Sequence, residues 1–248
     1  MKITIALWAM VWAMAGSAGA EEIIAAKFAS PDAATATVPA PDSAAALPLS
    51  APTEIKIQSG ETRITLATEE MSGWKPPFLI IQTGVLKANP QYPAWASLIW
   101  NLEKLKLTSG AYELSWKLIP LSEKFHGASA TVSLVSSQGK PVTGKLPPDR
   151  APLRVTFTDK GYIRAADRDA GGEPVQYEPD MPCEFVMTFD LDAKTWSVFV
   201  NGAALVDNLA FPADLAVADG LVIQSVAITG TGVQETGVAL ADVRFVKK

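Results

Sequence analysis

Residues 183–206, CEFVMTFDLDAKTWSVFVNGAALV, leave this chain few folds to choose from. Cys183, Phe185, Met187, Phe189 and Leu191 alternate with Glu184, Thr188 and Asp190, and only Val186 breaks the pattern, so the segment reads as a strand with one buried face. Trp196, Val198 and Val200 repeat the alternation. A four-residue connection over 192–195, opened by Asp192 as a type I turn, sets Leu191 against Trp196, Phe189 against Val198 and Met187 against Val200. Asn201-Gly202 then supplies the positive φ that both centres of a type I′ turn need, and sets Val200 against Ala203 and Val198 against Leu205. Both turns demand the same inner face. A one-residue slip would turn that face to water, and each large apolar side chain contributes roughly 1.5–3 kcal/mol when buried. The expected product is a three-stranded antiparallel meander that needs a second layer.

Further strand candidates follow at short intervals: 54–58, 62–68, 78–85, 111–119, 128–136, 153–158, 162–165, 221–229 and 238–246. Ser59-Gly60-Glu61 and Asp159-Lys160-Gly161 carry hairpin-turn chemistry between neighbouring candidates. In 95–106, Trp95, Leu98, Ile99 and Leu102 keep helical spacing, yet Leu98, Trp100 and Leu102 also alternate, and a strand over 96–101 is the reading adopted. Residues 212–219 suit one helical turn on a connection. With no βαβ rhythm and no repeat, the fold class is all-β, a two-layer antiparallel β-sandwich of the jelly-roll kind.

The start of the chain has a different character. Lys2, an apolar run from Ile3 to about Ala15 and the small residues Ala18-Gly19-Ala20 read as a secretory signal peptide over 1–20, because the run is shorter than the roughly 18–20 apolar residues that span a bilayer. The expected location is secreted or periplasmic, with no stable membrane insertion after cleavage. Residues 21–52 read as an Ala/Pro-rich linker or edge segment: Ile23 to Phe28 suit an edge strand, while 29–52, with five prolines, suit a flexible linker or loose wrap. Residues 53–248 then form the sandwich domain.

Composition narrows the chemistry. The net charge of −5 and the lack of a basic cluster argue against nucleic acid and anionic membranes as partners. Cys183 is the one cysteine, which excludes an intrachain disulfide, and its inward position suits a small buried hydrophobe better than a nucleophile. His126 is the one histidine, so a His-rich zinc site is excluded and any His-dependent triad must use a residue from a polar inter-strand stretch.

The run from FDLDAKTWSVFVNGAAL to GVALADVRFVKK resembles the concanavalin A-like, laminin G-like jelly rolls of bacterial secreted proteins, in which a strand ending in an Asn-Gly turn precedes a short apolar strand and a last strand like Ala241-Asp242-Val243-Arg244-Phe245. The hairpin around Gly161 and Tyr162 resembles the pair before it. The likeness covers about 150–248 in detail and 53–149 in rhythm. It implies the sandwich fold and leaves function to the site, because this fold hosts lectins, glucanases, lyases and adhesion modules.

No catalytic set stands out. The E-x-D-x-x-E of glucanases, which serves retaining hydrolysis with carboxyls about 5–5.5 Å apart, does not occur, and Asp190 with Asp192 suits turn chemistry. Tyr162 with Arg164 is the nearest approach to a lyase pair. Asp167 to Glu173 has oxygen donors and a Gly turn but lacks the further Asp/Asn of a calcium loop, so no metal and no cofactor is expected. Aromatics outside the core suit glycan binding, since a flat ring with a polar edge packs on a sugar face. Trp74, Tyr92 and Trp95, expected in Pro/Gly-rich loops, and Tyr162 are the candidate ligand residues. The expected function is a non-catalytic module binding glycan or another envelope component, with an envelope protein as the other candidate partner. The alternatives are a glycoside hydrolase or polysaccharide lyase, and a structural or adhesion domain.

Overall fold

The computed structural model describes residues 20–26, 49, 52–58, 62–67, 69–76, 78–84, 94–121, 130–136, 151, 153–158, 161–165, 175–211, 218–227 and 235–248. Fifteen strands occur among them: β1 (Glu21–Ala26), β2 (Glu54–Gln58), β3 (Arg63–Leu66), β4 (Leu79–Gly84), β5 (Ala94–Asn101), β6 (Ala111–Pro120), β7 (Ala130–Val135), β8 (Leu153–Phe157), β9 (Tyr162–Ala165), β10 (Val175–Gln176), β11 (Cys183–Asp190), β12 (Thr195–Val200), β13 (Ala203–Ala210), β14 (Gly220–Ala227) and β15 (Glu235–Lys247). One 3-10 turn, Glu103–Leu105, is the only helical element among the described residues. The first sheet runs β13-β12-β11-β6-β15-β4-β3, with β1 also on β15; the second runs β10-β9-β8-β7-β14-β5-β2. Every strand pair is antiparallel, as the alternating patterns require.

The inner faces of the two sheets make one core. Leu114, Trp116 and Leu118 of β6, Phe185, Met187 and Phe189 of β11, and Phe245 of β15 meet Leu98 and Trp100 of β5, Val155 and Phe157 of β8, and Leu221 and Ile223 of β14. Trp116 stacks on Phe185 with centroids 4.8 Å apart, and Phe185 meets Phe157 of the other sheet edge-on at 5.4 Å. This aromatic chain joins the layers. Cys183 is 5% exposed on the inner face, and burial pushes its thiol up to about 11, which suits the inert role expected of it.

The meander forms with its expected inner face but a different register. Phe189 pairs Trp196, Met187 pairs Val198 and Phe185 pairs Val200, so the connection is Leu191 to Lys194 and its opening acid is Asp190. Asp190 Oδ1 accepts the backbone N–H groups of Asp192 and Ala193, both at 2.8 Å. The shift is by two residues, which keeps every side chain on its own face, so alternation alone could not distinguish the two registers. In the next hairpin Val200 pairs Ala203 as expected, but Val198 pairs Val206 rather than Leu205, because the ladder shifts at bulges between Trp196 and Phe199. The bulge lets both Leu205 and Val206 bury.

Asn201 and Gly202 have φ of +50° and +79°, the type I′ signature. Asn201 also ties the turn to β11: its backbone N–H donates to the Glu184 carbonyl and its Oδ1 accepts the Glu184 N–H, each at 2.8 Å. A Cβ at Gly202 meets no atom within 4 Å, so the cost of Gly202→Val comes from backbone strain at positive φ. The expected outcome is a loss of more than about 1 kcal/mol, read as a lower midpoint in urea unfolding with an unchanged slope.

Two further expectations change, and one is met. Residues 59–61 lie outside the described residues, but the strands on either side do not form the expected hairpin: β2 pairs β5 in the second sheet while β3 pairs β4 in the first. Both are edge strands, and turn chemistry reads the same at a hairpin and at a layer corner. Trp95 lies within β5, which begins at Ala94, two residues before the expected strand start, rather than in a loop. The edge strand expected from Ile23 to Phe28 is β1, whose Ile23 and Ile24 are core residues, and Leu49 bonds through its backbone to Ile23 and Ala25. Tyr92, His126, Asp167 to Glu173 and residues 212–217 lie outside the described residues.

Candidate functional site

Strand alternation that points Leu98, Val132, Val155, Ile163 and Ile223 into the core turns their neighbours to the outer face of the second sheet. Ladder partners then line up across six strands: Lys56 on β2, Ser97 on β5, Gln224 on β14, Thr131 on β7, Thr156 on β8 and Arg164 on β9. All six side chains carry hydrogen-bonding groups. Gln224 Nε2 donates to Ser97 Oγ at 3.0 Å, and the Thr131 and Thr156 hydroxyls lie 3.4 Å apart. Ser97 is fully covered at the floor of this row, while Gln224, Thr131, Thr156 and Arg164 remain partly exposed.

Two of the expected aromatics flank the row. Trp95 precedes Ser97 by two residues and Tyr162 precedes Arg164 by two, and β5 and β9 run in the same direction because three antiparallel strands separate them. Both rings therefore stand in the next row on the same side, about 7 Å from the polar row along the strands. Four inter-strand steps put about 19 Å between them. Each is partly exposed. On the other side of the polar row lie Glu54, Ile99, Val222, Ser133 and Arg154, of which Ile99 and Val222 join Val135 in a small buried cluster.

Trp74 is elsewhere. It packs edge-on against Phe78 at 5.8 Å and joins Ile119, Leu121 and Ala239 on the outer face of the first sheet. The structure thus brings Trp95 and Tyr162 to one face and leaves Trp74 as a plug on the opposite one. Ser97, Thr131, Thr156 and Gln224 were not among the candidates read from sequence. Their signal is a polar residue at an outward position of an otherwise apolar strand, but which strands adjoin is a non-local fact.

Acidic groups gather instead on the first sheet. Where β15 bulges between Ala241 and Arg244, a hollow of about 450 Å³ opens beside Trp116 and Phe185, and Asp242 takes a positive φ of 51°. Lys117 Nζ lies 3.5 Å from Glu184 and 3.2 Å from Asp242, and Arg244 Nε bonds Glu22 at 2.7 Å. Its rim charges are thus mutually paired. No cluster of three or more potential metal ligands occurs among the described residues.

Among solved structures, the chain is similar to an endo-beta-1,4-glucuronan lyase from the fungus Trichoderma reesei, with a TM-score of 0.53 and 9% identity over 78% of this chain and 90% of that one. It is also similar to a sialidase, with a TM-score of 0.50 and 13% identity over 78% of this chain and 17% of that one. What they share is the sandwich. The chain matches less than a fifth of the sialidase's length, and identities this low speak to fold alone. No family model and no curated protein sequence matches the chain.

Proposed function

We propose that this protein is an exported, non-catalytic β-sandwich module that binds glycan across the outer face of the second sheet. The observation that carries the reading is the polar row from Lys56 to Arg164 with Trp95 and Tyr162 beside it. Sugars present hydroxyls around a ring and apolar C–H faces above and below it, so a binding face needs both side-chain hydrogen-bonding groups and aromatic rings. A span of about 19 Å between the rings suits an oligosaccharide better than a single sugar. Export rests on the composition of residues 1–20, and places the module in the periplasm or outside the cell.

The test is calorimetric titration of the purified protein with soluble plant, microbial and host polysaccharides. Trp95→Ala is expected to weaken binding to the best ligand about tenfold or more, as lost ring contact of roughly 1–2 kcal/mol implies, while Trp74→Ala leaves it unchanged. The reverse pattern would move the site to the first sheet. A polysaccharide lyase is the second reading, favoured by Tyr162 and Arg164 standing two residues apart on one face of β9. Appearance of unsaturated sugar ends during the titration would establish it.

A further inference from the structure

We propose that the hollow beside the β15 bulge on the first sheet is a separate ligand site, and that it takes a small organic cation, an ammonium or guanidinium group on an apolar stem. The proposal stands apart from the glycan reading of the other sheet. The bulge makes the hollow. Leu240 and Val243 both face the core, with two residues between them where strict alternation allows one. The extra residue, Asp242, is turned outward and exposed at a φ of +51°, a left-handed backbone that aspartate and asparagine tolerate best among residues with a side chain. The ladder with β6 runs to Ala241 opposite Lys117 and resumes at Arg244 opposite Ser115, so Asp242 and Val243 together stand across from Trp116. The hollow of about 450 Å³ that opens there falls in the size range of small-ligand pockets.

Its floor is apolar and its rim is charged. Trp116, Phe185, Val186 and Val243, with Ala25 and Ala26 of β1, contribute the apolar lining. The rim charges do not balance. Among the described lining residues, the carboxylates of Glu22, Glu184 and Asp242 outnumber the cations of Lys117 and Arg244. Arg244 is committed to Glu22 at 2.7 Å, which leaves Lys117 to serve Glu184 at 3.5 Å and Asp242 at 3.2 Å. One ammonium cannot neutralise two carboxylates. These carboxylates are also the more accessible partners, with side chains 64% and 56% exposed against 39% for the lysine. A second cation beside Glu184 and Asp242 completes the charge, and an apolar stem laid along the floor leaves water in the same step. An anion meets the opposite balance and is disfavoured.

The deciding experiment follows the backbone amide resonances of Lys117, Asp242 and Val243 while the purified protein is titrated at neutral pH with n-hexylamine, and in parallel with hexanol, methylamine and hexanoate. The expected result is saturable shifts at those amides with hexylamine, at an affinity about tenfold or more above that of hexanol, which lacks the charge, or methylamine, which lacks the stem. Added salt should weaken it, and hexanoate should not saturate. Asp242→Asn removes the charge and keeps a side chain that accepts the left-handed backbone, so it should weaken hexylamine about fivefold or more with little effect on hexanol. Glu184→Gln should act in the same direction. Glu113→Gln removes a carboxylate of the same sheet that pairs with Lys248 outside the hollow, and should change nothing. Unshifted amides elsewhere in each variant show that the sandwich is intact. Equal affinity for hexylamine and hexanol overturns the cation site. An equal loss in Glu113→Gln reduces the effect to the general field of an acidic protein and also overturns it. Absence of saturable shifts with hexylamine up to its solubility limit removes the site and leaves the glycan reading standing.

Discussion

Phe185→Ala is expected to lower the unfolding free energy by about 3–5 kcal/mol, the largest effect of any single change considered for this protein. The ring is 1% exposed and lies parallel to Trp116 within 2°, and it is also the first-sheet partner of Phe157 in the second sheet. Truncation removes its transfer free energy and leaves a gap whose walls belong to two different sheets. Neither sheet can close over the gap without shifting its ladder. For a domain of this size the loss corresponds to a fall in melting temperature of roughly 6–20 °C. Phe185→Leu keeps most of the volume and should lose much less. A drop below about 1 kcal/mol for the alanine variant, measured by chemical denaturation, would mean that the layers are held together elsewhere.

The second large effect comes from a polar pair in an apolar place. Thr83 of β4 and Ser225 of β14 face each other across the sandwich, 1% and 0% exposed, with the Thr83 hydroxyl donating to Ser225 Oγ at 3.1 Å. Thr83→Val keeps the shape and removes the donor, leaving a covered hydroxyl, and should cost about 1–3 kcal/mol. The double change Thr83→Val with Ser225→Ala should cost less than the first alone, because no stranded polar group remains. Additive losses in that double-mutant cycle would show that the hydroxyls do not act as a pair. The bond joins the two layers at the same level as the first sheet's β4–β15 ladder, so its loss should also loosen hydrogen-exchange protection along β4.

How far the fold could be read from sequence depended on the range of the signal. Alternation over 111–119 and 183–200 named the buried faces of β6, β11 and β12 correctly, because each inward residue is decided by its neighbours two positions away. Asn201-Gly202 was legible for the same reason. The register of β11 against β12 was not, since moving the turn from 192–195 to 191–194 preserves every inside and outside assignment; only the Asp190 side chain, bonded to two turn amides, distinguishes the two. Turn chemistry at Ser59–Glu61 misled because it does not say whether the strands on either side pair with each other, and β2 and β3 belong to different sheets. The candidate site was the least legible. Lys56, Ser97, Thr131, Thr156, Arg164 and Gln224 become neighbours only through the strand order of the second sheet, and nothing within any one segment encodes that order. Trp95 and Tyr162 were singled out for being aromatic, which found the right face, and so was Trp74, which lies on the other.

The placement of β15 has a consequence for the time course of folding. This strand joins β6 on one side and both β4 and β1 on the other, and the contact between Glu22 and Arg244 closes a loop of 222 residues. The β11–β12–β13 meander, by contrast, closes through turns of a few residues and can form early. Until β15 docks, β6 and β4 present unpaired apolar edges, the kind of surface on which strands from other chains assemble. Successful folding therefore turns on a race between one late, long-range insertion and self-association. The strand that completes the first sheet is also the strand that protects its neighbours from the wrong partner.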